Sequence, residues 1–475
     1  MDEVLKRLRA YLEGHAERHL ARVQALLRQP SVSVDGEGVE ACAALLADLA
    51  ADAGFPEVAI VPTAGYPGVW AAYDAGAHVT LAVYGMFDVR QAAGTWQHPP
   101  FAARVVPMAP FSRVLVARGA RAVKGPLAVW LNAVEACRAV LGRPPVNLLL
   151  LAEGEEILGS PHYREMVVRY RDRLARARIA WTPGASQDAS GAAHLTLGYK
   201  GLIYLTIRAS GRRWGRGPRD GPLHGMARSV VDSPVWRLVH ALASLTTPDG
   251  NTALLDGFDR PVGPPTHDEA EEVEALRRRF AGEPWQRVLP GVQGAQVPPI
   301  AGLPDDEVYT RFFYGPSLNI NGLRSGYLGP GTPTFTLPHV AEAVLDIRVP
   351  RDWSVEAVLA ALRARLDAQG FADVELDVAS AYDGSRVSRD APAVRAAQAI
   401  FASRGLEVVW WPSTGGGGPW SLFARELGMS VLRDVGVGHG RASATDEYLV
   451  VDGTGSVGGM VEMALSHAEF MLRVA

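Results

Sequence analysis

Two apolar stretches of this chain each run out into an acid. LAVYGMFDVRQAAGTW (81–96) reads as a strand entering a loop that carries Asp88, and VNLLLLAEGEE (146–156) closes on Glu156. Burial and neighbouring charge perturb carboxylates at the ends of sheet strands, which makes such groups candidates for general acid or base chemistry. Glu156 is equally readable as a surface or helix-capping acid, and Asp88 as the partner of Lys124 or Arg121 in a salt bridge. His224 lies in a Gly-rich loop, GPLHGMARS, where a solvated histidine is the simplest reading. Arg348, on the alternating strand LDIRVP, is either a solvated face or an anion clamp. The tetraglycine Gly415–Gly418 is a flexible loop or a place where backbone can approach a ligand closely; it lacks the lysine and following helix of a phosphate loop. His98, His162 and His439 read as structural.

These groups need elements to hold them. Residues 2–28 and ACAALLADLAADAG (41–54) carry a helical period, the latter ended by Gly54, while VAIVPT, GVWAAY and HVTLAVYG read as strands. KGPLAVWLNAVEACRAVLG (124–142) is a long helix between two apolar strands. This order predicts an α/β sheet with its functional residues at strand ends. From residue 199 the texture changes to amphipathic strands (YKGLIYLTIRAS, HVAEAVLDIRVP, ADVELDVAS) and helices (SPVWRLVHALASL, VEAVLAALRARLDAQG). The expected organisation is a discontinuous α/β domain over 1–198 and 386–475, with an α+β domain inserted at 199–385.

The 475 residues are 48% hydrophobic and 21% charged with a net charge of −4, an ordinary globular composition without the basic face of a nucleic-acid binder. The N-terminus mixes acids and bases and does not read as a signal peptide, and no run approaches the ~18 apolar residues of a membrane span. The two cysteines, Cys42 and Cys137, sit in helix-like apolar patterns and read as buried free thiols. A cytoplasmic protein with no nucleic-acid or membrane partner is expected.

Four stretches in order resemble the dinuclear-zinc peptidase and deacylase family that includes carnosinase-like dipeptidases, acetylornithine deacetylase and succinyl-diaminopimelate desuccinylase. They are GMFDV with GTWQHPPF, ARGARAVKGPLAVWLNAVEA, LAEGEEILGSPHY, and GPSLNINGLRSGYLGPG with TLPHVAEAVLDIRVP; STGGGGPWSLF and ASATDEYL match the closing motif. The resemblance spans nearly the whole chain. It implies a three-layer α/β/α domain carrying an inserted α+β lid and dimerisation domain, hence a homodimer. In that family two zinc ions, held by two histidines and three carboxylates, lower the pKa of a bound water to roughly 7 while a glutamate shuttles the proton. All five ligand positions are replaced here: Met86 and Ser443 stand for the histidines, and Ala122, Ile157 and Thr182 for the carboxylates. No metal or other cofactor is therefore expected.

Other family positions are kept. Glu156 matches the general base and Asp88 the aspartate that orients the first histidine. His224 matches the lid histidine that stabilises the tetrahedral intermediate across a dimer, although the aspartate before it is Pro222. Arg348 matches the arginine that binds the substrate carboxylate, and Asn319, Gly416 and Gly417 match substrate-binding loops. A substrate-contacting threonine is Phe335. Two functions compete: metal-independent acid–base chemistry on a small amino-acid- or peptide-like substrate (amide or ester hydrolysis, acyl transfer, isomerisation), or a non-catalytic relative serving as ligand-binding protein or dimerising scaffold. An ordinary peptidase or deacylase is a further alternative.

Overall fold

The computed structural model describes residues 1–260, 262–292, 295–300, 302–327, 329 and 335–475. The chain divides into two units, residues 1–197, 386–411 and 419–475 forming the first and residues 198–385 and 412–418 the second.

The first unit is built on a six-stranded sheet ordered Glu57–Val61, Gly68–Tyr73, Asn147–Glu153, Thr80–Met86, Ile179–Thr182 and Ser430–Arg433. The last four run parallel. Thr80–Met86 is buried along its whole length and Asn147–Glu153 at every position after the first. Both faces are covered, so these strands read as unbroken apolar runs rather than as alternation. The helix Lys124–Leu141 packs against Thr80–Met86, and Val39–Asp52 against the first two strands of the sheet. Trp130 and Trp181, both fully buried, meet edge to face 6.5 Å apart at the centre of this core. A second, seven-stranded sheet of short strands includes Phe111–Val116, Gly436–Arg441 and Tyr448–Val450.

The second unit carries a four-stranded antiparallel sheet ordered Ser317–Ser325, Val340–Val349, Gly201–Ser210 and Glu375–Tyr382. The helices Pro234–Ala243 and Val355–Ala368 pack on its central strands. Each helix starts at a serine whose hydroxyl accepts from the third helical N–H, Ser233 from Trp236 and Ser354 from Ala357. Three further helices, His267–Arg279, Trp285–Val288 and Asp305–Tyr314, follow in the segment between sheet strands.

The mixed α/β class and the principal strands and helices agree with the sequence reading. The anticipated strand over 146–156 stops at Glu153, and Glu156 opens a short 3-10 turn, Glu156–Leu158.

Candidate acid–base site

Parallel pairing sets the geometry of the first unit's site. Met86 pairs with Glu153, so two adjacent strands end at the same edge of the sheet and release their next residues side by side. Phe87 prolongs the ladder by donating its N–H to the Glu153 carbonyl at 2.9 Å. Asp88 then turns inward and is fully buried. Its Oδ1 accepts from the Glu156 N–H at 3.1 Å, and its Oδ2 from the Ile157 N–H at 2.9 Å and the Ser33 hydroxyl at 2.7 Å.

The expected ion pair of Asp88 is absent. Lys124 is buried too, but its ammonium donates to the carbonyls of Gln29 (2.6 Å) and Leu26 (3.5 Å), and the Arg121 guanidinium donates to the Ala185 carbonyl. Among the described residues, neutral donors alone hydrogen-bond Asp88. Burial first, then the nearby charge of Glu156, raise its pKa to about 7. Glu153, one strand across, is also fully buried; it accepts from the Tyr84 hydroxyl at 2.6 Å and the Ser160 hydroxyl at 2.8 Å, and burial pushes it well above the carboxylate range.

A cavity of about 170 Å³ opens over these strand ends, lined by Met86, Asp88, Ala122, Glu156, Ile157 and Ser443 among others. Glu156 is half-buried there. Thr182 is not in the lining; it is buried in the neighbouring strand with its hydroxyl unpartnered. The site therefore gathers five of the six residues named here on sequence grounds beyond Asp88: four of the replaced ligand positions and Glu156.

Sequence reasoning did not assign the guanidinium groups on the cavity wall, Arg90, Arg118 and Arg433, or the role of Glu447. Glu447 is anchored from both sides. Its Oε1 accepts from the N–H groups of Arg121 (3.0 Å) and Ala122 (2.8 Å), and its Oε2 from Arg118 at 3.1 Å. Arg118 also stacks over Trp96, 4.8 Å from the ring centre. No local pattern signals this pair, because its members are 329 residues apart. Three guanidinium and three carboxyl side chains thus face one small volume.

The donor set decides whether a dinuclear metal centre fits. At the five positions where the resemblance expects zinc ligands stand a thioether, a methyl, a branched alkyl chain and two hydroxyls, which do not make a divalent-metal site. Among the described residues no group of three or more His, Cys, Asp or Glu side chains is placed to hold an ion. The residues present do not fit the dinuclear centre.

Within the second unit, Arg348 and Asn319 line a separate cavity of about 490 Å³ together with Gly415. Both contact Asp346: Arg348 Nε donates at 3.1 Å and Asn319 Nδ2 at 3.1 Å. Gly416 and Gly417 are not in its lining, but they adjoin it through Lys200. The Gly416 carbonyl accepts from the Lys200 N–H at 3.2 Å, and a Cβ at Gly417 would stand 2.4 Å from the Lys200 carbonyl, so only glycine fits there. His224 also lies outside this cavity. It is exposed on a two-residue strand paired with Thr336–Leu337, its Nδ1 accepting from the Met226 N–H at 3.2 Å and its ring 6.0 Å from that of Phe335.

Comparison with known proteins bears on both units. A model described as Peptidase family M20/M25/M40 matches residues 83–459. The chain is 26% identical to the Beta-Ala-His dipeptidase of Homo sapiens over 361 residues, covering 74% of this chain and 62% of that protein. It is 27% identical to the Cys-Gly metallodipeptidase of Saccharomyces cerevisiae over 300 residues, covering 61% and 57%. The chain thus spans about six-tenths of the length of the curated relatives it matches. Among solved structures, the M20 family metallo-carboxypeptidase Sso-CP2 from Sulfolobus solfataricus superposes with a TM-score of 0.77 at 25% identity, covering 96% of this chain and 98% of that one.

Proposed function

The chain belongs to peptidase family M20/M25/M40, and from that premise we propose that it acts on a small amino-acid- or peptide-like substrate by metal-independent acid–base chemistry centred on Glu156. The observation that carries this reading is the half-buried Glu156 carboxylate at a strand-end cavity whose expected ligand positions hold Met86, Ala122, Ile157 and Ser443. Glu156 takes a proton from an attacking water or an acidic C–H and returns it to the leaving group. Asp88 is a positioning residue, fixing the Glu156 and Ile157 main chain through two N–H bonds. Within the second unit, Arg348 is the candidate group for holding a ligand carboxylate. General acid–base groups contribute about 10²–10⁴-fold each, which suits an activated ester, a lactam or an α-proton better than an unactivated amide. The working compartment is the cytoplasm, a reading supported by two buried cysteines that form no disulfide.

The test is an LC–MS turnover screen of dipeptides, N-acyl amino acids and their esters and lactams, run in chelator. Chelator-resistant turnover supports the reading; turnover that appears only on adding zinc overturns it in favour of an ordinary metallopeptidase. Metal content gives an independent check. After dialysis against a weak chelator, zinc measured by mass spectrometry is expected at a small fraction of one per chain, and a value near two would refute the proposal.

A second reading, a non-catalytic dimerising scaffold, draws on the edge strand of the second unit. Ser317–Ser325 ends the sheet order and leaves Ile320 42% and Leu323 59% exposed, and an apolar edge of this kind is a template for pairing with another strand. We place the contact of a homodimer there. Light scattering is expected to return twice the chain mass, falling to the single-chain mass when Ile320 and Leu323 are both changed to glutamate. An unaltered dimer in that variant would move the interface elsewhere.

A further inference from the structure

The cavity of about 490 Å³ lies wholly within the second unit and is two-faced. On one side stand three cationic side chains, Lys200, Arg311 and Arg348; on the other an apolar wall that includes Trp285, Leu289 and Phe312. Lys200 is buried, and its ammonium donates to a single acceptor, the Gly315 carbonyl, at 2.6 Å. Burial, and then the charges of Arg348 and Arg311, bring its pKa down to about 7. That is the mark first of a desolvated ammonium and then of one placed beside other cations. Arg311 donates to the Asn251 carbonyl at 3.0 Å and, among the described residues, meets no carboxylate. Only Arg348 has one, Asp346 at 3.1 Å.

Two guanidinium groups and an amine that an incoming anion would keep protonated, set against one carboxylate, leave a positive surplus beside an apolar wall. Ions in such a partly desolvated place are worth more than in water, so the surplus is satisfied best by a ligand that brings the missing negative charge. With Asp346 already on Arg348, a single added carboxylate would answer only one of Lys200 and Arg311. We propose that this cavity binds a small molecule with a doubly negative head, such as a dicarboxylate, joined to an apolar body that lies against Trp285, Leu289 and Phe312. Lys200 and Arg311 are then the residues that set the preference for two charges over one. The inference goes beyond the reading above, since it concerns binding within the second unit alone.

Binding is measured by calorimetry on the full chain carrying Glu156→Gln, so that no turnover intrudes. The probes are N-benzoyl-L-aspartate (two negative charges), N-benzoyl-L-asparagine (one), its neutral methylamide, and N-acetyl-L-aspartate, which keeps the charge and lacks the ring. The dianion is expected to bind at least tenfold tighter than the monoanion, the neutral probe to give no heat, and the acetyl probe to bind at least tenfold weaker than the benzoyl one. Arg311→Gln should reduce the dianion-to-monoanion ratio below threefold, and Arg311→Lys should retain most of it. Equal affinity across the charge series, no binding by any probe, or an unchanged ratio in Arg311→Gln overturns the proposal. Selective binding in a protein silent in the turnover screen would sink the catalytic reading and leave this one standing. Turnover without charge selectivity would do the reverse.

Discussion

Glu156→Gln is expected to lower turnover by about 10²–10⁴-fold, because glutamine keeps the shape of glutamate and removes the proton acceptor. The same substitution has a second signature, in stability rather than in turnover. Asp88 has a pKa of about 7, raised by burial and then by the charge of Glu156. Between the ordinary carboxylate value near 3.8 and 7, the folded protein holds a proton on Asp88 that the unfolded chain has released. The folded state binds more protons in that window, so stability falls as pH rises through it. The contribution is fully present below the ordinary value and is lost as pH passes through about 7. Removing the Glu156 charge takes away the second cause, so the loss should be smaller and should end at lower pH. Urea midpoints from pH 5 to 8 for the parent and the variant should therefore diverge. Superimposed curves would refute the coupling to Asp88, and turnover left intact would remove Glu156 from the centre of the chemistry.

That coupling was partly legible in the sequence. Thr80–Met86 and Asn147–Glu153 are apolar on both faces and each run out into acids, so local pattern alone predicts two central strands releasing Asp88 and Glu156 at their ends. The partners of Asp88 were not legible. A nearby lysine in sequence suggested an ion pair, yet the Lys124 ammonium donates its hydrogen bonds to main-chain carbonyls, and no residue type announces where a carbonyl will lie. The edge strand Ser317–Ser325 was missed as a strand because it is exposed along most of its length and so lacks the alternation that burial of one face imposes. The helix His267–Arg279 hides its apolar stripe among nine charged or histidine side chains, HDEAEEVEALRRR. Its start was nonetheless marked: the Thr266 hydroxyl accepts from the Glu269 N–H at 3.3 Å and donates to the Glu269 carboxylate at 2.8 Å, the spacing of a capping box. Clusters such as Lys200 with Arg311, or Arg118 with Glu447, join residues more than a hundred positions apart and emerge only from the fold.

The Arg118–Glu447 pair sets the other large effect. Its side chains are 6% and 1% exposed, and breaking a buried pair of this kind by removing one charge costs about 3–5 kcal/mol, because the remaining charge is stranded. Glu447→Gln is the informative change, since the two ends of the carboxylate do different work. Oε1 receives both main-chain N–H groups, and a glutamine carbonyl can still receive them. Oε2 receives Arg118, and there the glutamine amide would present a donor to a donor. The variant therefore isolates the ion pair from the main-chain anchor. For a unit of this size a loss of that magnitude is expected to lower Tm by about 5–9 °C. The loop that Glu447 anchors also holds Ser443 (φ 59°) and Asp446 (φ 49°) in the left-handed region, which a non-glycine residue adopts only when its surroundings impose it. Loosening Glu447 should free that loop to relax, which hydrogen exchange over residues 441–447 would detect. Adding Arg118→Met to Glu447→Gln removes the stranded cation, so the double variant should lose at least about 1 kcal/mol less than the sum of the two single losses. Strict additivity, or a Glu447→Gln protein as stable as its parent, would mean that the pair contributes nothing beyond its parts and that the wall of the Glu156 cavity is held by other contacts.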